Sequence, residues 1–239
     1  MPDNNDSRHH ISKPFDQELE DIRRRIQGMG ELVEEQVKLA IKALEDRDAH
    51  LARRVVVNDA AVNSLESSID EECTQILARR QPTARDLRLV LAVIKTTVDL
   101  ERIGDEAKLI AHRAIDLSNQ LPDRRRFAEQ KHLAAHVGTM LRNALDAFDR
   151  MDVEQAFRVM DDCKSANVES ESVMRQQVAV IVEDQRSIPA CLDIMWSTRA
   201  MERIGERCCN ICEYVVYYTL GKDIRHLAPD DARNAIEDR

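Results

Sequence analysis

Glycine, proline and aromatic residues are all scarce in this chain of 239 residues, which has 6 Gly and 6 Pro and is only 3% Phe, Trp and Tyr. So few helix-breaking residues leave little turn chemistry for a β-sandwich or β-barrel, which needs a turn about every ten residues. Charged residues, by contrast, make up 33% of the chain. A charge-rich, aromatic-poor composition is typical of long amphipathic helices, so we predict an all-α fold.

An excess of basic residues, a long apolar run and a secretory signal are also missing. The net charge of −9 argues against nucleic-acid binding, which depends on clustered Lys and Arg. No run reaches the roughly 18 apolar residues of a transmembrane helix, so we predict no membrane insertion. The first 13 residues are polar and lack the apolar segment of a signal peptide, so we expect a cytoplasmic protein.

Neither a disulfide framework nor a catalytic motif is evident. The six cysteines are unevenly spaced, and in a cytoplasmic protein we expect them to be reduced. Cys209 and Cys212 form a CxxC pair, but no second pair completes a structural zinc site, so these residues and Cys208 are predicted to be buried free thiols. The sequence has no phosphate-binding loop, GxGxxG, GxSxG or HExxH motif, and we predict that the protein is not an enzyme.

Apolar residues recur at steps of three and four along most of the chain, which predicts six long helices. Gln81-Pro82 ends the second helix, and a capping box from Thr83 to Asp86 is predicted to begin the third. Leu121-Pro122-Asp123 separates the first three helices from the last three. We therefore predict two tandem three-helix bundles at residues 14–121 and 122–221, with polar tails at residues 1–13 and 222–239.

A five-residue motif occurs once in each predicted bundle. The third helix contains Glu-Arg-Ile-Gly-Asp at residues 101–105, and the sixth contains Glu-Arg-Ile-Gly-Glu at residues 202–206, 101 positions later. Its recurrence at equivalent points of equivalent helices indicates an internal repeat. Glycine is unfavourable inside a helix, so Gly104 and Gly205 predict close approach of neighbouring helices at this level.

Glu101 and Asp105 lie one helical turn apart, where the apolar stripe of the third helix would otherwise continue. Like charges at this spacing repel each other, so a compensating cation is expected nearby. The second helix has an oxygen-rich edge formed by Asp59, Asn63, Glu66 and Asp70. Such oxygen donors suit Mg, Ca, Mn or Fe. The alternative is a solvated acidic face that Arg102 and other basic neighbours neutralise.

The second bundle carries Glu202 and Glu206 at the positions that match Glu101 and Asp105. An approximate register puts Cys163 where the first bundle has Asp59, so the oxygen set of the second bundle is thinner. If a metal site exists, we therefore expect the better one in the first bundle.

Half of the eight aromatic residues lie in the sixth predicted helix. Trp196 is predicted to pack in the core. For the helix end that carries Tyr214, Tyr217 and Tyr218, two interpretations are open. These tyrosines either pack in the core or form a surface for a partner or a second copy, because tyrosine is a common interface anchor.

The doubled motif and the segments around it resemble the PhoU family of bacterial regulators of phosphate transport. The resemblance extends from about residue 15 to 226 and rests on residues 81–89, 99–105, 201–206, 210–217 and 221–226. It implies a fold of two three-helix bundles related by pseudo-symmetry, commonly assembled as a homodimer.

The resemblance also implies a negative regulator of the phosphate-starvation response. Under phosphate sufficiency, such a protein would link the ATPase subunit of the phosphate ABC transporter to a sensor histidine kinase. Two other hypotheses remain open from the residues themselves. One is a metal-binding or metal-sensing protein built on the carboxylate clusters, and the other is a generic helical scaffold.

Some members of this family carry iron, zinc, manganese or magnesium on paired carboxylate motifs. The resemblance assigns this role here to Asp59, Glu101, Asp105, Glu202 and Glu206. The sequence departs from the family pattern at Asn63, Cys163 and Asn167, where Asp is usual, and at Arg207, where a smaller or neutral side chain is usual. These departures weaken the expected site mainly in the second bundle, because a cation beside Glu206 opposes a metal ion.

Overall fold

A computed structural model of the chain describes residues 13–120 and 128–224, which form six long α-helices and one short 3₁₀ turn. The helices are α1 (Lys13–Asp46), α2 (Ala49–Arg80), α3 (Ala84–Ser118), α4 (Ala128–Arg150), α5 (Val153–Glu183) and α6 (Ile188–Leu220). No strand occurs within the described residues, and the predicted all-α fold is confirmed. The predicted joint at 121–122 and most of both predicted tails lie outside the described residues.

The helix ends follow local chemistry that repeats along the chain. The Asp48 side chain caps α2 by accepting from the backbone N–H groups of residues 50 and 51, at 2.9 Å each. Asp152, 104 positions later, caps α5 by accepting from the N–H of residue 155 at 3.0 Å. At the end of α6, Gly221 adopts φ +71° as predicted for a helix stop. The predicted capping box is wrong, because the Thr83 side chain makes no cap hydrogen bond.

The first three helices pack on one another, as do the last three, and we call these groups repeat 1 and repeat 2. Helix α3 also packs along α6, and α1 packs against α4, so one continuous apolar core runs through both repeats. Its largest fully buried side chains include Ile22, Met29, Ile69, Leu100 and Ile103 from repeat 1 and Leu133, Met140, Ile194 and Met201 from repeat 2. Each repeat therefore completes the core of the other.

The contact between α1 and α4 is close at Gly30. A Cβ atom at this position would lie 2.8 Å from the Leu145 side chain, whereas one at Gly28 would meet nothing within 4 Å. Glycine at position 30 thus leaves room for the Leu145 side chain of α4. None of the helices in the two described ranges has the length and apolar composition that a membrane span requires.

The aromatic residues of α6 contradict one expectation, for Trp196, and agree with core packing for Tyr218, which is buried. Trp196 is 56% exposed, so its predicted place in the core is wrong. The tyrosines near the end of α6 lie against α3 of the same chain, where the Lys95 ammonium sits 5.4 Å and 5.1 Å from the ring centroids of Tyr214 and Tyr217. Arg85 and Arg88 donate to the hydroxyl and the carbonyl oxygen of Tyr218, at 3.1 Å and 3.2 Å. These tyrosines therefore join the two repeats.

Candidate functional site

The carboxylates that the sequence singled out in repeat 1 lie on the facing sides of α2 and α3. Asp59 on α2 is only 2% exposed. Its carboxylate accepts from the Lys108 ammonium of α3 at 2.8 Å and from the Gln36 amide of α1 at 3.1 Å. Asp105, in contrast, is exposed, and its nearest oxygen lies 3.9 Å from the same ammonium. Lys108 thus pairs mainly with Asp59 and only weakly with Asp105 of the predicted carboxylate pair.

Glu101 lies near these groups, and it forms no ion pair with any cation of the described residues. Burial raises its pKa, and three neighbouring carboxylates raise the pKa further, those of Asp105, Glu66 and Asp59. Arg102 acts in the opposite direction but does not outweigh them. The cluster therefore has more negative charge than its own basic residues neutralise. The expectation of a face neutralised by Arg102 does not describe Glu101.

Gln36 is part of this cluster, and sequence reasoning missed it. It lies on α1, is 4% exposed, and its Oε1 atom has no hydrogen-bond partner. A Cβ atom at Gly104 would lie 3.6 Å from this oxygen and 3.6 Å from Asp59 Oδ1. The signal that would have found Gln36 is its place among buried apolar positions of α1, between Val33 and Ala40.

The donor set of repeat 1 suits a hard divalent cation. Carboxylate and amide oxygens are the ligands that Mg²⁺, Ca²⁺ and Mn²⁺ prefer, and the unpartnered Gln36 oxygen is one of them. As the side chains stand, the described part of the chain holds no group of three or more His, Cys, Asp or Glu residues converged on one metal position. Binding a cation there would require Glu101 and Asp105 to turn toward Asp59.

Glycine in the motif does not reflect a steric requirement of the backbone. A methyl group at Gly104 would lie 3.4 Å from Val62, and one at Gly205 would lie 3.7 Å from Met140. At both positions a methyl group would contact a side chain of a neighbouring helix, so the helices are close at this level, but the distances leave room for alanine. A methyl group at Gly104 would touch the oxygens of Asp59 and Gln36, so glycine leaves these two oxygens uncovered.

Repeat 2 places its two predicted carboxylates in a different environment. Glu202 accepts from the Ser170 hydroxyl at 2.9 Å and forms an ion pair with Arg199 on its own helix. Glu206 is exposed. Met140 lies where repeat 1 has Gln36, 104 positions earlier. Because Glu202 already has its donors and the neighbouring side chain is a thioether, these residues suit a hard cation less well than those of repeat 1.

Cys163 and Cys209 form a disulfide between α5 and α6, with their Cα atoms 6.8 Å apart. The structure therefore contains a linked pair where the sequence predicted free thiols. Cys208 and Cys212 are buried and free, as predicted. The pair occupies the place of the Asp59–Lys108 ion pair, because Cys163 follows Asp59 by 104 positions and Cys209 follows Lys108 by 101.

Asp99 is a second residue whose role the sequence did not reveal, although it lies in the segment that resembles the family. It is 3% exposed and accepts hydrogen bonds from three side chains of α6, those of Arg207 at 3.3 Å, Asn210 at 3.3 Å and Tyr214 at 2.8 Å. The charge of Arg207 is thus engaged between the repeats. Asp99 is the principal polar link between α3 and α6, and Ala200 occupies the matching position in repeat 2.

Comparison with known proteins agrees with this architecture and with the doubled motif. The family model for the PhoU domain matches residues 26–114 and again residues 131–215. The chain is 45% identical over 236 residues to the phosphate-specific transport system accessory protein PhoU of Edwardsiella tarda, covering 99% of this chain and 97% of that protein.

Two crystal structures share the fold. That of PhoU from Pseudomonas aeruginosa superposes with a TM-score of 0.85 at 44% identity, over 87% of this chain and 100% of the other. That of the phosphate transport system regulatory protein PhoU from Streptococcus pneumoniae gives a TM-score of 0.80 at 28% identity, over 87% and 98% of the two chains. The chain therefore belongs to the PhoU family.

Proposed function

We propose that this protein is the accessory regulator of a phosphate-specific transport system and a negative regulator of the phosphate-starvation response. It acts in the cytoplasm, without catalysis of its own, as an adaptor between the ATPase subunit of the phosphate ABC transporter and a sensor histidine kinase. The adaptor is a homodimer. It holds the kinase in its repressing state when phosphate is sufficient, because it binds that state more tightly than the alternative.

The observation that carries this proposal is the match of both repeats to one family whose relatives are named as accessory proteins of phosphate-specific transport. The match includes the motif of each repeat, and the chain covers 97% of the relative from Edwardsiella tarda. The match spans both repeats of this chain and nearly the whole length of that relative.

The surface of α6 supports an adaptor role. Ile188, Leu192 and Trp196 recur at steps of four residues along one face and are 38%, 45% and 56% exposed. Large apolar side chains in a row on the surface are typical of sites that protein partners cover, and tryptophan is a frequent anchor of such contacts.

Deleting the encoding gene tests the regulatory role directly. We expect alkaline phosphatase to be derepressed in phosphate-rich medium and repressed again when the full chain is supplied in trans. Capture of the tagged full chain from phosphate-rich and phosphate-starved cells should recover the kinase and the transporter ATPase, with more of both in phosphate-rich cells. Unchanged repression in the deletion strain would refute the proposal.

Cation binding in repeat 1 is a second candidate function. Two observations favour it: the raised pKa of Glu101 and the unpartnered buried oxygen of Gln36. Asp59, Glu101 and Asp105 would hold the ion, which would supply the positive charge that the cluster lacks. The Lys108 ammonium now pairs with Asp59 and would have to move away.

Thermal unfolding with added Mg²⁺ or Mn²⁺ tests this second function on protein purified without a His tag. A ligand at a hundredfold excess over its Kd stabilises the native state by about 2.7 kcal/mol, which corresponds to a Tm increase of about 5–10 °C. Replacing Glu101 and Asp105 by Ala should abolish the increase. The matched control, Ala at Glu202 and Glu206, should retain it, and loss of the increase in the control alone would move the site to repeat 2.

A further inference from the structure

We propose that Cys163 and Cys209 form a reversible redox link that fastens α5 to α6 beside the repeat 2 motif when the cell meets a peroxide. The inference rests on the proposed function in one respect, the cytoplasmic location. Disulfides in a reducing compartment are generally transient and redox-sensing rather than structural. A disulfide there is therefore expected to open and close.

The cysteine pair lies beside the motif of repeat 2, so closing the link would fasten the helices around that motif. Its sulfur atoms lie beside the Glu-Arg-Ile-Gly-Glu motif, with Cys163 Sγ 3.9 Å from the carbonyl oxygen of Gly205. The same level of repeat 1 joins α2 to α3 through the Lys108–Asp59 ion pair at 2.8 Å. Each repeat thus ties its second helix to its third at this point. Only the tie of repeat 2 can respond to an oxidant.

Accessibility separates this pair from the other four cysteines. Cys163 and Cys209 are only partly buried, whereas Cys73, Cys191, Cys208 and Cys212 are fully buried and free. Oxidants and thiol reductants attack sulfur atoms that they reach, so buried thiols are inert by comparison. The structure contains no other disulfide among its six cysteines.

The chemistry balances with hydrogen peroxide as the oxidant. One sulfur attacks a peroxide oxygen, breaks the O–O bond and becomes a sulfenic acid, and water leaves. The second sulfur attacks the sulfenic sulfur, forms the S–S bond and releases a second water. The two thiols lose two electrons and the peroxide gains them. A dithiol reductant reverses the step through a mixed disulfide and is itself oxidised to a disulfide.

Mass spectrometry of the full chain tests the link. Reduced protein is treated with hydrogen peroxide, quenched with N-ethylmaleimide and digested. We expect a cross-linked peptide containing residues 163 and 209, two fewer maleimide adducts, and full recovery of the adducts after a dithiol reductant. The oxidised form should also have a Tm at least about 5 °C higher, because the link closes a 46-residue loop.

Three variants make the outcome decisive. Cys163→Ser should lose the cross-link and the Tm response, and Cys191→Ser should keep both. Replacing Cys163 by Asp together with Cys209 by Lys places the ion pair of repeat 1 at the matching positions of repeat 2. The Tm of this variant should be the same with peroxide as with reductant. Full alkylation of both cysteines after peroxide would overturn the proposal, as would a Tm response that persists in Cys163→Ser.

The state of the pair in cells separates a switch from a permanent disulfide. Cells are quenched with N-ethylmaleimide before and after peroxide, and alkylation of residues 163 and 209 is measured. We expect reduced cysteines before peroxide and linked cysteines after it. A pair that is already linked in unstressed cells overturns reversibility. None of these readouts depends on phosphate regulation, so a failure here is distinct from a failure of the proposed function.

Discussion

Repeat 1 and repeat 2 place the same motif at the same level of the fold but surround it with different chemistry. Around Glu101, repeat 1 has an amide, three more carboxylates and an ammonium group, from Gln36, Asp59, Glu66, Asp105 and Lys108. Around Glu202, repeat 2 has a thioether, a hydroxyl, an arginine and a disulfide, from Met140, Ser170, Arg199, Cys163 and Cys209. The helices have kept their arrangement while the side chains between them have diverged.

The comparison shows that the motif alone does not define a site. Glu101 and Glu202 follow the same spacing and precede the same glycine, yet the first has a raised pKa and the second has an arginine and a serine as partners. What distinguishes them comes from their own helices, through Asp105 and Arg199, and also from neighbouring helices that are distant in the sequence. A family motif therefore locates a candidate site, and its surroundings decide what the site binds.

The largest difference that we expect between the repeats concerns Asp99, which has Ala200 as its counterpart. Asp99→Ala leaves three donors of α6 without their acceptor, so the free energy of unfolding should fall by about 2–3 kcal/mol. Urea denaturation measures this loss. Asp105→Ala removes an exposed carboxylate and should change stability by less than about 0.5 kcal/mol. Equal losses in the two variants would contradict the role of Asp99 as the link between repeats.

The next difference concerns the pair of side chains that joins the second and third helices of each repeat, which are Asp59 and Lys108 in repeat 1 and Cys163 and Cys209 in repeat 2. The variants are compared under reducing conditions. Asp59→Ala removes the acceptor of Lys108 and of the buried Gln36 amide, and should cost about 1–3 kcal/mol. Cys163→Ala removes one partly buried thiol, and should cost about 1 kcal/mol or less. Chemical denaturation with and without reductant checks both values. If Cys163→Ala under reducing conditions lowers the free energy of unfolding as much as Asp59→Ala does, the reduced cysteines stabilise repeat 2 as strongly as the ion pair stabilises repeat 1.

The third comparison replaces the first glutamate of each motif by glutamine, and we expect stability to rise in one variant and to fall in the other. Glu101→Gln removes a charge that three carboxylates repel, so the protein should gain a few tenths of a kcal/mol. Glu202→Gln weakens a hydrogen bond from Ser170 and an ion pair with Arg199, so the protein should lose about 0.5–1 kcal/mol. Thermal unfolding at neutral pH without divalent metal measures both changes.

The Glu101 comparison also depends on pH. A raised pKa in the folded state means that folding favours the protonated carboxyl of Glu101. The stability that this protonation contributes is fully present below pH 4.5, the ordinary pKa, and is lost as the pH rises through the pKa of the folded state. The urea midpoint of the native protein should therefore fall relative to that of Glu101→Gln as the pH rises from acid to neutral. A constant difference across this range would mean that Glu101 is not perturbed.

The smallest expected difference concerns the motif glycines. Gly205→Ala should raise stability by about 0.5–1 kcal/mol, because alanine costs less backbone entropy in a helix and a methyl group fits there. Gly104→Ala should gain a few tenths less, because its methyl group covers oxygens of Asp59 and Gln36. Tm measurements on both variants test this. A larger Tm increase at Gly104 than at Gly205 would mean that covering the two oxygens has no cost.

Much of the fold was predictable because the relevant signals are local. Steps of three and four residues indicate helices, and Gln81-Pro82 and Gly221 end them where the structure does. Trp196 shows the limit of this reasoning. Periodicity identifies an apolar face but not whether another helix covers it, and the face that carries Trp196 remains exposed.

The site was predictable only in part, because its residues come from three helices. The carboxylates on α2 and α3 follow from spacing, and the structure brings Asp59 and Glu101 near each other as expected. Gln36 on α1 bonds to Asp59 on α2, and Asp99 on α3 bonds to Tyr214 on α6. The spacing of residues within one helix carries no information about such partners on another helix. The Cys163–Cys209 pair was likewise hidden, since its members lie 46 residues apart in the sequence.

The shared core of α3 and α6 has a consequence for synthesis on the ribosome. Asp99 and its partner Tyr214 are 115 residues apart in the chain, so α3 leaves the ribosome long before the helix that covers it. At roughly 5–20 residues per second, α6 follows about 6–23 s later. During that interval the nascent chain exposes the face of α3 that α6 later covers, and transiently exposed apolar surface of this kind is what chaperones shield.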